Sequence, residues 1–153
     1  MRIAAAIIML CMLLVSCAAT AVKSEYSPGP AEKELLLRER VKMMWDAQSK
    51  GDRAAMFDLY DPFYRAKQSK EAFVKPTVTI NYYDPEIAMV QIQGNVATVR
   101  VKVEYELKSF VARGRVISEP KKQVVNTETW LFVDGNWYRQ FIDNISESTV
   151  ANY

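Results

Sequence analysis

Cys17 is the residue whose type and setting point most directly to chemistry. It closes the run Leu14-Val15-Ser16-Cys17 and is followed by Ala18-Ala19, a small-residue patch of the kind a peptidase cuts. Its thiol is a nucleophile that can be alkylated. The only other cysteine is Cys11, and the sequence contains no His. Beyond residue 17 the chain therefore lacks the usual zinc ligands and the usual neutral-pH bases and nucleophiles, which excludes Ser-His-Asp triads and Cys–His dyads. No catalytic residue, metal ligand or cofactor is assigned. Carboxylates and tyrosines are left for acid–base work: Asp46, Asp58, Asp84 and Tyr82. A carboxylate must be buried to be poised near neutral pH. Asp46 lies about 100° round its helix from Trp45, and Asp84 precedes Pro85 in a turn. Solvated charges and helix caps are the expectation for all of them.

The segment before Cys17 reads as a leader, with Arg2 as a short basic start and Ile3–Val15 as an apolar run. Together with Leu14-Val15-Ser16-Cys17 it resembles the lipobox signal of bacterial lipoproteins. The resemblance implies that residues 1–16 are a signal peptide, that the Cys17 sulfur receives a diacylglyceryl group, and that the freed amine is acylated in turn. The lipid bilayer is then the first partner, since two or more acyl chains hold a protein stably. Ala18, rather than Asp, resembles the class passed to the outer membrane, so the expected location is the bacterial cell envelope, facing the periplasm. Two other readings stay open. Ala19-Thr20-Ala21 also fits an ordinary cleavage site, and Ile3–Val22 is about long enough to span a bilayer uncleaved. Each of the three exports the domain. Residues 17–30 read as a lipidated N-terminus and flexible tether, with Ser24, Ser27, Pro28, Gly29 and Pro30, spanning roughly 20 Å.

With 153 residues, 50% apolar and 25% charged, the chain has about one domain's worth of sequence and enough apolar content for a core. Removing Arg2 with the leader leaves 19 basic against 18 acidic residues. That balance provides no global field to draw nucleic acid. A mature domain without thiols is indifferent to an oxidising compartment.

The helical stretches come first. Leu37, Val41, Met44, Trp45 and Gln48 mark one face of a helix over Ala31–Lys50, widened by Leu36 and Met43. Pro30 suits its start and Gly51 its stop. Asp52 can cap a second helix, Arg53–Tyr60. Asp61-Pro62 restarts the chain for a turn over Phe63–Gln68, and Ser69 can cap a short helix through Phe73. After Pro76 the period falls to two. Strands are expected at Thr77–Tyr83, stopped by Asp84-Pro85, then at Ile87–Gln93 and Val96–Leu107 around Gly94-Asn95. Val99, Val101, Val103, Tyr105 and Leu107 alternate with charged residues, the mark of a half-buried antiparallel strand. Lys108–Lys122 is irregular or a bent hairpin around Arg113-Gly114. Gln123–Val133, a turn at Asp134-Gly135-Asn136, and Trp137–Ile142 complete the sheet. Residues 144–153 are a polar tail.

Helices followed by antiparallel strands give an α+β fold, two to three N-terminal helices packed on a curved antiparallel sheet. In residues 31–143 the chain resembles the nuclear-transport-factor-2-like superfamily, which shares a cystatin-like cone and includes SnoaL-like domains. Four stretches carry the resemblance: Trp45-Asp46-Ala47-Gln48-Ser49-Lys50-Gly51-Asp52, Ser69-Lys70-Glu71-Ala72-Phe73, Gly94-Asn95-Val96-Ala97-Thr98-Val99, and Trp130 followed by Asp134-Gly135-Asn136-Trp137-Tyr138. It implies a cavity between sheet and helices, lined by candidates Trp45, Tyr60, Tyr64, Tyr105, Trp130 and Trp137. Their indole and hydroxyl donors would orient a small apolar ligand; as plain core they would serve only the fold. It also implies, as an alternative, isomerase- or dehydratase-like chemistry by an Asp/Tyr pair.

Lys108, Arg113, Arg115, Lys121 and Lys122 gather in one segment opposed there only by Glu119. They read as a basic rim toward anionic headgroups, polymer or an acidic partner, or as charges that keep a sheet edge from aggregating. The outer face Thr98–Glu106 is solvated or, as in related folds, a homodimer surface. The expected function is a membrane-anchored, non-enzymatic module that binds an envelope protein or a small apolar ligand, with no nucleic acid. A structural subunit of an envelope or secretion assembly is the further alternative.

Overall fold

The structure, a computed structural model, describes residues 28–75, 80–112 and 114–141. The expected leader, Cys17, the tether up to residue 27, the start of the first strand at Thr77–Thr79, Arg113, Ile142 and the tail at 144–153 lie outside them.

Four helices precede four strands: α1 Pro30–Lys50, α2 Arg53–Leu59, α3 Pro62–Lys67, α4 Lys70–Phe73, then β1 Ile80–Gln93, β2 Val96–Ala112, β3 Arg115–Val133 and β4 Asn136–Arg139. The strands form one antiparallel sheet in the order β1-β2-β3-β4. The fold is α+β, as the change of period predicts.

The helix ends follow their capping residues. Gly51 takes φ 68°, a left-handed stop that L side chains resist, and Asp52 N–H closes back on the Ala47 carbonyl at 2.8 Å. Asp52 then caps α2 through the Ala55 N–H, Asp61 caps α3 through Tyr64 and Ser69 caps α4 through Ala72. The second helix ends one residue early, at Leu59, because Tyr60 turns extended and bridges Arg139 on β4. Arg53 clamps α4 to α2 by donating to the Phe73 carbonyl at 2.8 and 2.6 Å.

The face of α1 that buries is Leu37, Val41, Met44, Trp45 and Ala47, and the first four of these join one core cluster with Val99, Val101 and Val103 of β2 and with Trp130 and Trp137. Met43 does not widen that stripe. It is 51% exposed, one residue and about 100° away from Met44. Leu36 does pack against the core. The start of α1 is pinned to the sheet: the Trp137 indole donates to the Lys33 carbonyl at 2.8 Å, and Lys33 Nζ reaches Asn95 Oδ1 at 2.9 Å.

Two strand boundaries differ from expectation, and one open alternative is decided. Asp84-Pro85 does not end a strand; β1 runs through it as a bulge, with Asp84 at φ 49° and register shifts on either side of Glu86-Ile87. Proline is tolerated there because β1 is an edge strand and its missing N–H breaks no ladder. The segment Lys108–Lys122 is the bent-hairpin alternative: β2 continues to Ala112 and β3 starts at Arg115, with register shifts around Leu107. Trp137–Ile142 shortens to Asn136–Arg139, after the turn in which Asp134 and Gly135 both take positive φ.

Candidate functional site

Helix α1 and edge strand β1 leave an open furrow between them. It has a volume of about 470 Å³ and is lined by Val41, Trp45, Pro85, Ile87 and Val101, with Arg38, Glu39, Lys42 and Asp46 along its helical rim. The apolar floor comes from the buried stripe of α1 meeting Ile87 of β1 and Val101 of β2, and Pro85 of the β1 bulge lines it as well. A groove of this size and lining suits a small apolar ligand. Asp46 is exposed at its edge, as its place on the helix predicts.

A second, polar cleft of about 270 Å³ is lined by Gln48 near the C-terminal end of α1 and by Tyr60, Tyr82, Asn126, Thr127, Glu128, Arg139 and Phe141, among others. At its base lies a carboxylate the sequence reading did not single out. Glu128 is 2% exposed. Its Oε2 accepts from the Trp130 indole at 3.0 Å, and its Oε1 lies 3.3 Å from Arg139 Nη2. Burial pushes the Glu128 carboxyl above its ordinary pKa, against the pull of Arg139 and then of the Trp130 and Trp45 indoles. Arg139 also reaches Gln48 Oε1 at 3.3 Å and stands 6.0 Å from the centre of the Tyr60 ring. Burial raises the Tyr60 hydroxyl as well, and keeps it neutral. The sequence does hold the signal for Glu128: it lies two residues before Trp130 on a strand where alternate residues face inward.

The six candidate pocket aromatics are not gathered round one cavity. Trp45, Trp130 and Trp137 fill the space between sheet and helices, at 1%, 0% and 0% exposure. Trp45 floors the furrow and Tyr60 the polar cleft. Tyr64 belongs to an aromatic cluster with Phe57, Tyr60 and Phe73 and stacks on Phe141 at 4.0 Å between ring centres. Tyr105 sits where the β2–β3 hairpin leaves the body, donating to Glu119 at 2.6 Å; that hydroxyl, and then Lys122, hold the Glu119 carboxyl below its ordinary pKa.

Among the described residues, which leave out Arg113, the basic side chains do not gather on one face. Lys122 pairs with Glu119 at 2.9 Å and stands over Tyr105, whereas the adjacent Lys121 pairs with Glu104 and stands over Tyr83. Neighbours on a strand face opposite ways, so the two lysines lie on opposite faces, and Glu104 joins Glu119 as a neutralising acid. Lys108 and Arg115 are exposed near the hairpin tip.

No model of a known protein family and no curated protein matches the chain. It is similar to solved structures. One is an NTF2-like protein with a cystatin-like fold from Novosphingobium aromaticivorans, 14% identical over 80% of this chain and 91% of that one, with a TM-score of 0.46. Another is a proposed dehydratase of the NTF2-like family from Streptomyces avermitilis, 13% identical over 72% and 93%, with a TM-score of 0.49. A third is a protein of unknown function with a cystatin-like fold from Nostoc punctiforme, 15% identical over 75% and 92%, with a TM-score of 0.44. Fold and site together define a small α+β domain with a tryptophan-filled interior, an apolar furrow along its edge strand and a polar cleft over a buried ion pair.

Proposed function

We propose that this chain is a lipoprotein of the bacterial envelope, anchored through acylated Cys17 and facing the periplasm from the outer membrane. Its nuclear-transport-factor-2-like domain is a non-enzymatic module that binds a small apolar ligand. The observation that carries the binding reading is the furrow floored by Val41, Trp45, Ile87 and Val101. Leu14-Val15-Ser16-Cys17 motivates the anchor.

Two measurements test the two halves. A fatty-acid probe fed to the native host should label the protein, and Cys17→Ala should abolish the labelling; persistent label on the variant refutes the anchor. A brominated alkyl probe should quench Trp45 fluorescence saturably. Ile87→Lys should weaken that binding about tenfold, the cost of one lost apolar contact surface. Unsaturable quenching, or quenching untouched by both Ile87→Lys and Trp45→Phe, overturns the furrow as the ligand site.

An isomerase- or dehydratase-like reading has one observation in its favour, the buried Glu128 beneath a cleft that Tyr60 and Tyr82 also line. That carboxylate already faces Arg139 and Trp130. Its place among them reads as a tie between β3 and β4.

A further inference from the structure

The helices stop short of the far end of the β2–β3 hairpin. The core positions on β2 are Ala97, Val99, Val101 and Val103, and register is kept onward through Phe110↔Ile117, Val111↔Val116 and Ala112↔Arg115. Beyond Leu107, among the described residues, the hairpin continues as two paired strands for about 20 Å. Its tip is apolar and exposed: Val111 is 71%, Val116 71% and Ile117 41% accessible. Val111 and Val116 face each other across the ladder, so they share one face, and Ile117 is on the other.

Two features select the occupant. A protein docking on a sheet covers one face, whereas here apolar side chains are exposed on both, which suits entry end-on into a medium that surrounds the tip. The charge is also one-sided. Between Leu107 and Ser118 the sequence carries Lys108, Arg113 and Arg115 and no acidic residue. Among the described residues, neither Lys108 nor Arg115 enters an ion pair. By contrast Lys121 and Lys122, further down the ribbon, are each matched by a carboxylate. Unmatched cations round an apolar tip are the composition of a shallow insertion into an anionic bilayer: the aliphatic side chains leave water and the cations meet lipid phosphates.

We propose that the β2–β3 hairpin tip, through Val111, Val116 and Ile117 with Lys108 and Arg115, inserts shallowly into an anionic lipid surface as a contact separate from the N-terminal segment. It would fix the orientation of the domain on the membrane and so the direction in which the furrow faces. The site does not depend on acylation of Cys17.

The test uses the full chain with Cys11→Ser and Cys17→Ser, so that one introduced cysteine is its only thiol. A polarity-sensitive fluorophore is placed at Val116→Cys or, as control, at Met43→Cys on the exposed side of α1. Vesicles of phosphatidylcholine alone, or mixed with phosphatidylglycerol, carry nitroxide lipids as quenchers. The expected result is blue-shifted, quenched emission from position 116 on the anionic vesicles, lost in high salt, while position 43 stays in water. Lys108→Glu and Arg115→Glu should each weaken the response about fivefold or more. If position 116 remains water-exposed on both vesicle types, or responds equally without anionic lipid and regardless of the charge changes, the proposal is overturned. A response at 116 that requires an added envelope protein instead of lipid overturns it in favour of a protein contact.

Discussion

Arg139→Met should destabilise the domain by about 3–5 kcal/mol at neutral pH, and the deficit should shrink on acidification. The cause is Glu128, whose side chain is fully buried while that of Arg139 is 20% exposed. Removing the cation leaves a buried anion with the Trp130 indole as its hydrogen-bond donor, and breaking a buried pair from one side costs about that much. The sign of the pH effect follows from burial. In the native protein the Glu128 carboxyl already lies above its ordinary value of 4.5. A carboxyl raised on folding binds its proton more tightly in the folded state than in the unfolded chain. Stability therefore rises as pH falls from the folded pKa toward the unfolded one, and the cost of the buried charge is gone below both. Without Arg139 the folded value climbs further, so the variant regains on acidification what it loses at neutral pH. Urea unfolding at neutral and acidic pH measures this. The Glu128→Gln background should remove both most of the loss and its pH dependence. An equal loss at both pH values, and in both backgrounds, would mean that Arg139 acts through its contacts with Gln48 and Tyr60 rather than through charge.

Trp137→Ala should cost about 3–5 kcal/mol at any pH, the usual range for emptying a buried tryptophan site. The side chain is fully buried and meets Phe132 edge-on at 5.1 Å between ring centres. Its indole N–H also satisfies the Lys33 carbonyl at the start of α1, while its own carbonyl accepts from Arg40 Nε at 2.9 Å. The residue thus joins the last strand to the first helix, across the length of the sequence. Trp137→Phe should lose much less, since it keeps part of the packing and forfeits one hydrogen bond worth about 1 kcal/mol. An unfolding free energy for Trp137→Ala within about 1 kcal/mol of the parent would show that this end of the domain is not part of the cooperative core.

These two residues bear on function indirectly. Both hold α1 and the last strand to the body, and α1 supplies the helical wall of the furrow and one wall of the polar cleft. Binding in the furrow and unfolding can be separated experimentally through Lys42, which lines it, is exposed and takes no part in either tie.

The types and order of the elements were legible in the sequence because their causes are local. A period near 3.6 gives way to a period of two, and Gly51, Asp52, Ser69 and Asp134-Gly135 act on backbone groups within a few residues of themselves. The alternation of Val99, Val101 and Val103 likewise marks a buried face that any pairing partner must respect. The anchor expectation at Cys17 is of the same local kind. The boundaries that differed depended on neighbours. Pro85 can sit inside β1 only because β1 is an edge, and β2 reaches Ala112 only because β3 pairs with it that far.

The site was decided by tertiary structure for the same reason. Glu128 is buried because β3 pairs with β2 in the register that sets it opposite Val99, on the side the helices cover. A shift of one residue would turn it to water. Its partner Arg139 arrives from another strand. The same register sends Lys121 and Lys122 to opposite faces and splits what reads in sequence as one basic cluster. The six aromatics read in sequence as the lining of one pocket, yet whether such side chains line a cavity or fill it depends on how closely sheet and helix approach. Sequence alone determined the α+β plan and the aromatic-rich character of its interior. Packing distance and strand register, which no local pattern encodes, turned that interior solid and left the apolar furrow, the buried Glu128–Arg139 pair and the exposed hairpin tip.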